Sequence, residues 1–202
     1  NCLLGLVKME ENGIIKIGVI GAESTGKTWL CGRLAKHFNT VWVPEYAREY
    51  FNHSDIYNYS INDLIIIARK QIELEKEHLA RANKLLFCDT TLITLKIWSE
   101  LEFNCTPPEI QTLMIQHSYN HYLITNNDIP WESDSLRQNK HSRDLLFELN
   151  LLEVCTTNEQ VSVVIEDKSD KKIQLNSLKE VEEYNRKDER LKAPVTISIN
   201  YL

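Results

Sequence analysis

Residues 18–30 read GVIGAESTGKTWL: an apolar stretch, a glycine, four residues, and then Gly-Lys-Thr. Gly21, Ala22, Glu23, Ser24, Thr25, Gly26, Lys27 and Thr28 fit G-x-x-x-x-G-K-[ST] at every specified position. Each specified residue has a chemical reason. The glycines let main-chain N–H groups converge on phosphate oxygens, and the helix that follows adds the partial positive charge of its N-terminus. Lys27 is a mobile point charge for β- and γ-phosphates, and the Thr28 hydroxyl is a ligand for Mg²⁺. Trp29, next in the chain, is counted with this nucleotide-binding loop.

The context agrees with the motif. IIKIGVI (14–20) predicts a buried strand before the loop and KTWLCGRLAKHF (27–38) a helix after it. Working outward, TVWVP (40–44) predicts a second strand stopped by Pro44. A long helix is expected from Ser60 to about Asn83, with Ser60 as N-cap and Asp63 three residues on. Leu64, Ile67, Ala68, Ile72 and Leu79 then share one face. KLLFCDT (84–90), HYLITNN (121–127) and VSVVIED (161–167) predict three further strands, with helices over 137–150 and 177–187. Strands alternating with helices predict a three-layer α/β/α sandwich on a five-stranded parallel sheet.

Composition bounds the rest. The chain has 202 residues, 43% hydrophobic and 26% charged, with a net charge of −6 and no long basic run. That argues against a nucleic-acid partner. Five scattered cysteines without metal-ligand spacing predict reduced thiols, no structural zinc and a cytoplasmic setting. Nothing approaches the roughly 20 apolar residues of a membrane span, so no membrane partner is expected. The expected division is an N-terminal extension (1–12), one domain (13–190) with a lid at about 130–146, and a C-terminal tail (191–202). The tail's APVTISINYL reads either as an edge strand or as a frayed end.

Asp89 follows four apolar residues, which puts a carboxylate at the C-terminal edge of a central strand, beside the phosphate loop. It reads as a Mg²⁺-holding acid or as a cap of the next turn. VWVPEYAREY places Glu45 and Arg48 just past the second strand, at the edge where ligands bind. Glu45 is a candidate substrate ligand or general base, or else a helix-cap partner of Arg48. Trp42, Tyr46, Tyr50, Trp98 and Trp131 lie near predicted strand ends and suit a planar ring, though aromatic residues also fill cores. The polar segment 128–148 brings Arg137, Lys140, His141 and Arg143 before a helix resumes, as a closing lid would.

GAESTGKT, VPEYARE, LLFCDT with LKIWSE, and YLIT with DIPWE.D.LR together resemble the nicotinamide riboside kinase domain of NadR-type NAD-biosynthesis proteins, over residues 14 to about 150. The loop is common to many proteins, whereas EYARE and DIPWE in this order are far more specific. The resemblance implies a P-loop NTPase fold with strand order 2-3-1-4-5, and phosphorylation of nicotinamide riboside by ATP. It implies that residues 21–28 bind ATP, Asp89 serves the metal, Glu45 and Arg48 face the riboside, and Arg137 and Arg143 belong to the lid. No helix-turn-helix or adenylyltransferase region accompanies the motifs. EDKSDKKIQLNSL (166–178) is unusually charged for the loop that would meet adenine, which points to an altered nucleotide preference. Two alternatives remain open at this level: a kinase for another nucleoside or nucleotide, and a regulatory ATPase. Against the second, Thr90 rather than a second acid follows Asp89.

Overall fold

The computed structural model describes residues 13–157 and the main-chain course of three later strands, 162–166, 172–175 and 195–198. The expected helix over 177–187 lies outside the described residues. Strand β1 (Ile15–Gly21) runs into the phosphate loop and helix α1 (Lys27–His37). Then follow β2 (Trp42–Val43), α2 (Tyr46–Phe51), α3 (Ile61–Leu79), β3 (Leu85–Asp89), α4 (Leu92–Phe103), α5 (Pro108–Gln116) and β4 (His121–Thr125). A long irregular stretch with one 3₁₀ turn at Lys140–Ser142 leads to α6 (Arg143–Thr157).

The four strands pair in parallel in the order β2-β3-β1-β4, with Val19 level with Asp89 and Gly21 level with Thr125. Their C-terminal ends therefore meet at one edge, where the phosphate loop begins. Alternation along the strands sorts the core. Ile17, Val19, Leu85 and Phe87 pack toward α1, together with Cys31 and Ala35. Ile20, Leu86, Cys88 and Ile124 pack with Ile93, Ile97, Leu146 and Val154 of α4 and α6 on the opposite face. Phe87, Leu86, Ile20 and Leu64 are fully buried, each worth about 1.5–3 kcal/mol of transfer free energy.

One expectation at the sheet is corrected. The predicted fifth strand forms as β5 (Ser162–Glu166), but it does not extend the parallel sheet. It pairs antiparallel with β6 (Lys172–Leu175) and β7 (Val195–Ser198) in a separate three-stranded sheet. Part of the charged 166–178 stretch is thus a hairpin strand, and part of the C-terminal tail is an edge strand. The parallel sheet has four strands among the described residues. Helices α4 and α5 fill 92–116 between β3 and β4. Ser60 starts α3 as expected, and Asp63 accepts from the Ser60 main-chain N–H at 2.7 Å, closing a capping box.

Candidate active site at the C-terminal edge of the sheet

The phosphate loop depends on its glycines. Gly21 has φ +138°, and a Cβ there would lie 2.5 Å from Thr125 Oγ1 and 2.8 Å from its main-chain oxygen. Gly26 has φ +80°, the left-handed turn from which α1 starts. Thr25 is turned inward, its hydroxyl donating to Ala22 O at 2.8 Å and lying 2.6 Å from Thr125 Oγ1. It therefore braces the loop against β4. The Lys27 ammonium donates to Gly21 O at 3.0 Å and Ala22 O at 2.7 Å, folding back across the loop.

Asp89 ends β3 almost fully buried. The Thr28 hydroxyl donates to its Oδ2 at 2.6 Å, and its Oδ1 is buried without a hydrogen-bond partner. Burial raises the Asp89 pKa above the usual carboxylate value, opposed by the Thr28 bond and by Lys27 and Arg48. An unsatisfied buried carboxylate oxygen beside a threonine hydroxyl is the donor set a hard divalent cation takes, with phosphate oxygens completing its shell. Thr28 and Asp89 therefore fit Mg²⁺.

Glu45 precedes α2, and its carboxylate accepts from Arg48 Nε at 3.1 Å. Its pKa is also raised, chiefly by burial; Lys27 pulls it down, Asp89 pushes it up, and Arg48 lowers it further. The Glu45–Arg48 pair read as a helix-end partnership is thus present, and both residues also line the cavity. Arg48 reaches across to the lid, where its Nη1 lies 3.2 Å from Asp134 Oδ2.

The cavity has a volume of about 540 Å³ and is walled by the whole phosphate loop, Glu45, Arg48, Trp98, Leu136 and Arg137. Its remaining wall carries three polar residues the sequence did not single out: Thr90, Thr94 and Asn150. Each is at least nine-tenths buried, and Thr90 Oγ1, Thr94 Oγ1 and Asn150 Oδ1 have no hydrogen-bond partner. Asn150 Nδ2 is already given to Leu146 O at 2.7 Å. Buried polar atoms left unpaired cost about 1–3 kcal/mol each, a common mark of a binding wall.

The aromatic residues divide. Trp98 lines the cavity. Trp42, expected at the ring site, packs instead with Val19, Leu30, Leu34 and Phe87 against α1, because alternation along β2 turns it to that face. Tyr46, also expected there, is packed with Phe51, Leu64 and Ile67, and its main-chain N–H donates to Gln71 Oε1 at 2.9 Å. Trp131 stands in the lid with the Arg143 guanidinium 5.9 Å from its ring, outside the cavity walls. Trp29 lines the cavity rim and is 68% exposed. Both lid arginines come to the loop: Arg143 Nη2 donates to Ser24 O at 3.1 Å, and Arg137 Nη1 lies 3.4 Å from Ser24 Oγ. Asp134 was missed as a site residue although it ion-pairs with Arg137 at 2.9 Å, an i,i+3 spacing that was visible in the sequence.

Sheet, loop and strand-end acid together define a P-loop α/β domain of the nucleotide-binding class. A profile of the AAA domain family matches residues 16–171, and the chain belongs to that family. It is also 31% identical over 142 residues to the trifunctional NAD biosynthesis/regulator protein NadR of Salmonella typhimurium, covering 67% of this chain. The NadR of Escherichia coli is 30% identical over 139 residues. The chain spans about a third, 34%, of the length of each of these relatives. Among solved structures, NadR in complex with NR superposes with a TM-score of 0.63 at 23% identity, over 71% of this chain and 41% of that one. NadR in complex with NAD and AMP-PNP gives 0.59 at 24% identity, over 71% and 42%. The parallel-sheet fold is therefore shared with NadR. Among the described residues no helix is long and apolar enough to cross a membrane.

Proposed function

We propose that this chain transfers the γ-phosphoryl group of ATP to the 5′-hydroxyl of nicotinamide riboside, giving nicotinamide mononucleotide and ADP. The observation that carries the reading is the largely buried Glu45 carboxylate lining one cavity with the phosphate-loop Lys27 and Thr28, while Thr28 hydrogen-bonds the buried Asp89 carboxylate behind it. Glu45 lies past β2 rather than directly after Asp89, where an ATPase would keep a water-activating acid and this chain has Thr90.

The loop N–H groups and Lys27 hold the phosphates in line with the acceptor, and phosphoryl transfer asks for little beyond positioning and charge stabilisation. Thr28 and Asp89 would hold Mg²⁺, which would supply neutralisation of the phosphate charge. Glu45 accepts a hydrogen bond from the riboside and orients its hydroxyl, with Arg48 fixing the Glu45 carboxylate. Arg137 and Arg143 bring positive charge to the transferred group. Trp98 offers a flat wall to the cationic pyridinium ring, and Thr94 and Asn150 offer unpaired polar atoms to its carboxamide. The likeness to NadR, and the presence of NR in one solved NadR structure, support this acceptor over other nucleosides.

An ADP-release assay with Mg·ATP, with and without nicotinamide riboside, tests the reading when the product is identified by mass. Riboside-dependent release giving the mononucleotide is the expected result. Release at the same rate without any acceptor would replace the kinase with an ATPase, and preference for uridine or thymidine would replace the acceptor.

A further inference from the structure

Glu23 sits inside a loop whose main-chain N–H groups gather toward phosphate, where a carboxylate turned inward would compete with and repel the bound anion. Its oxygens are taken up by the lid. Oε2 accepts from the main-chain N–H groups of Gln138 and Asn139, both at 2.9 Å, and Oε1 accepts from Asn139 Nδ2 at 2.8 Å. Three donors from two consecutive lid residues thus converge on one side chain. Bonds to an ionised acceptor are about twice as strong as neutral ones.

The place of attachment matters. Gln138 and Asn139 directly follow Arg137 and lie one short turn before Arg143. Fixing the main chain there fixes the origin of both guanidinium groups. The neighbouring residue repeats the connection, since Ser24 Oγ accepts from Glu132 N at 2.8 Å and Ser24 O from Arg143 Nη2 at 3.1 Å. On the far side, Asp134 meets Arg48 at 3.2 Å. The lid is therefore tied to the phosphate loop by side chains of the loop's unspecified positions, which the G-x-x-x-x-G-K-[ST] pattern leaves free.

We propose that Glu23 is a positioning residue: its carboxylate latches the lid at Gln138–Asn139 and so holds Arg137 and Arg143 over the phosphate loop. The kinetic consequence rests on the phosphoryl-transfer reading above, whereas the latch itself concerns only the order of the lid.

The test compares the full chain carrying Glu23→Ala or Glu23→Gln with the unchanged protein. Limited trypsin digestion, mapped by mass spectrometry, reads cleavage after Arg137, Lys140 and Arg143, with cleavage after Arg69 and Lys70 in α3 as the control for global unfolding. Glu23→Ala is expected to speed lid cleavage tenfold or more while α3 cleavage stays unchanged, and to lower kcat tenfold or more. Glu23→Gln keeps one oxygen able to accept from both main-chain N–H groups and recovers most of both losses. Unchanged lid cleavage in Glu23→Ala overturns the proposal. So does tighter nucleotide binding with unchanged cleavage, which would make Glu23 only a charge. If no protein, unchanged or variant, phosphorylates a riboside, the kinase reading falls and the cleavage ratio alone decides the latch.

Discussion

The Thr28 hydroxyl, at the start of α1, donates a 2.6 Å hydrogen bond to Asp89 Oδ2 at the end of β3, 61 residues further along the chain. This bond occupies one carboxylate oxygen and leaves the other buried and unpaired. Removing Asp89 therefore separates function from stability. Asp89→Asn is expected to lower kcat by about 10²–10³-fold, the usual effect of losing one charge-organising group. Its folded-state pKa is raised, so the native carboxyl holds its proton more tightly than the unfolded chain does. Stability from that group is full below the unfolded value of 3.8 and falls as pH rises through the window above it. Asp89→Asn should then melt higher than the unchanged protein at pH 7, by roughly 2–4 °C per kcal/mol recovered. Melting curves should converge below pH ~3, where the carboxyl is protonated in both states.

Lys27 has no counterpart that could replace its charge within the loop. Lys27→Ala should cut riboside phosphorylation by at least ~10²-fold, measured by ADP release. A variant turning over at the rate of the unchanged protein would sink the proposed mechanism.

The acidic limb of the rate profile should lie above the ordinary carboxylate range. Glu45 and Asp89 act as anions, and burial raises both pKa values. Activity is then lost on acidification at a higher pH than a solvated carboxylate would give. In Glu45→Gln the limb should move and kcat/KM for the riboside should fall, while the KM for ATP stays within about twofold.

Thr94 and Asn150 should report on the acceptor. Thr94→Val removes a buried hydroxyl with no protein partner. It is expected to raise the riboside KM by up to about tenfold, for a hydrogen bond worth ~0.5–1.5 kcal/mol. The melting temperature should not fall, because no protein hydrogen bond is lost. A lower melting temperature with an unchanged KM would assign the hydroxyl to the core instead.

At the opposite end of the sheet, Lys16 Nζ meets Glu75 Oε2 at 3.1 Å with both side chains about 95% buried. The Tyr119 hydroxyl donates to Glu75 as well. Glu75→Leu alone should cost about 3–5 kcal/mol in a denaturant titration, because it takes the carboxylate out of a buried ion pair. Adding Lys16→Met should return much of that loss.

The phosphate loop and the three central strands were legible in the sequence for a local reason. A strand buried on both faces writes a continuous apolar run, and G-x-x-x-x-G-K-[ST] writes its chemistry in adjacent residues. Ser60 and Asp63 announced the start of α3 in the same way. Helix α4 was not legible, because Leu92, Ile93, Leu95 and Ile97 are buried on more than one side and blur any single apolar face. Trp42 alternates with Val41 and Val43, so the sequence left open which way it points, and only the packed sheet turns it toward α1.

By itself, then, the sequence determined the phosphate loop of this protein: its glycines, lysine and threonine are near neighbours whose spacing is their geometry, and Asp89 is marked by the apolar strand it ends. Only the tertiary structure decided the rest of the site. Arg48 meets Asp134 across 86 residues, Glu23 meets Asn139 across 116, and Asn150 comes to line a cavity with Thr94. No local pattern encodes such pairs. They exist because α2, α4, α6 and the lid all return to the same edge of the parallel sheet, and that return is a property of the packed layers.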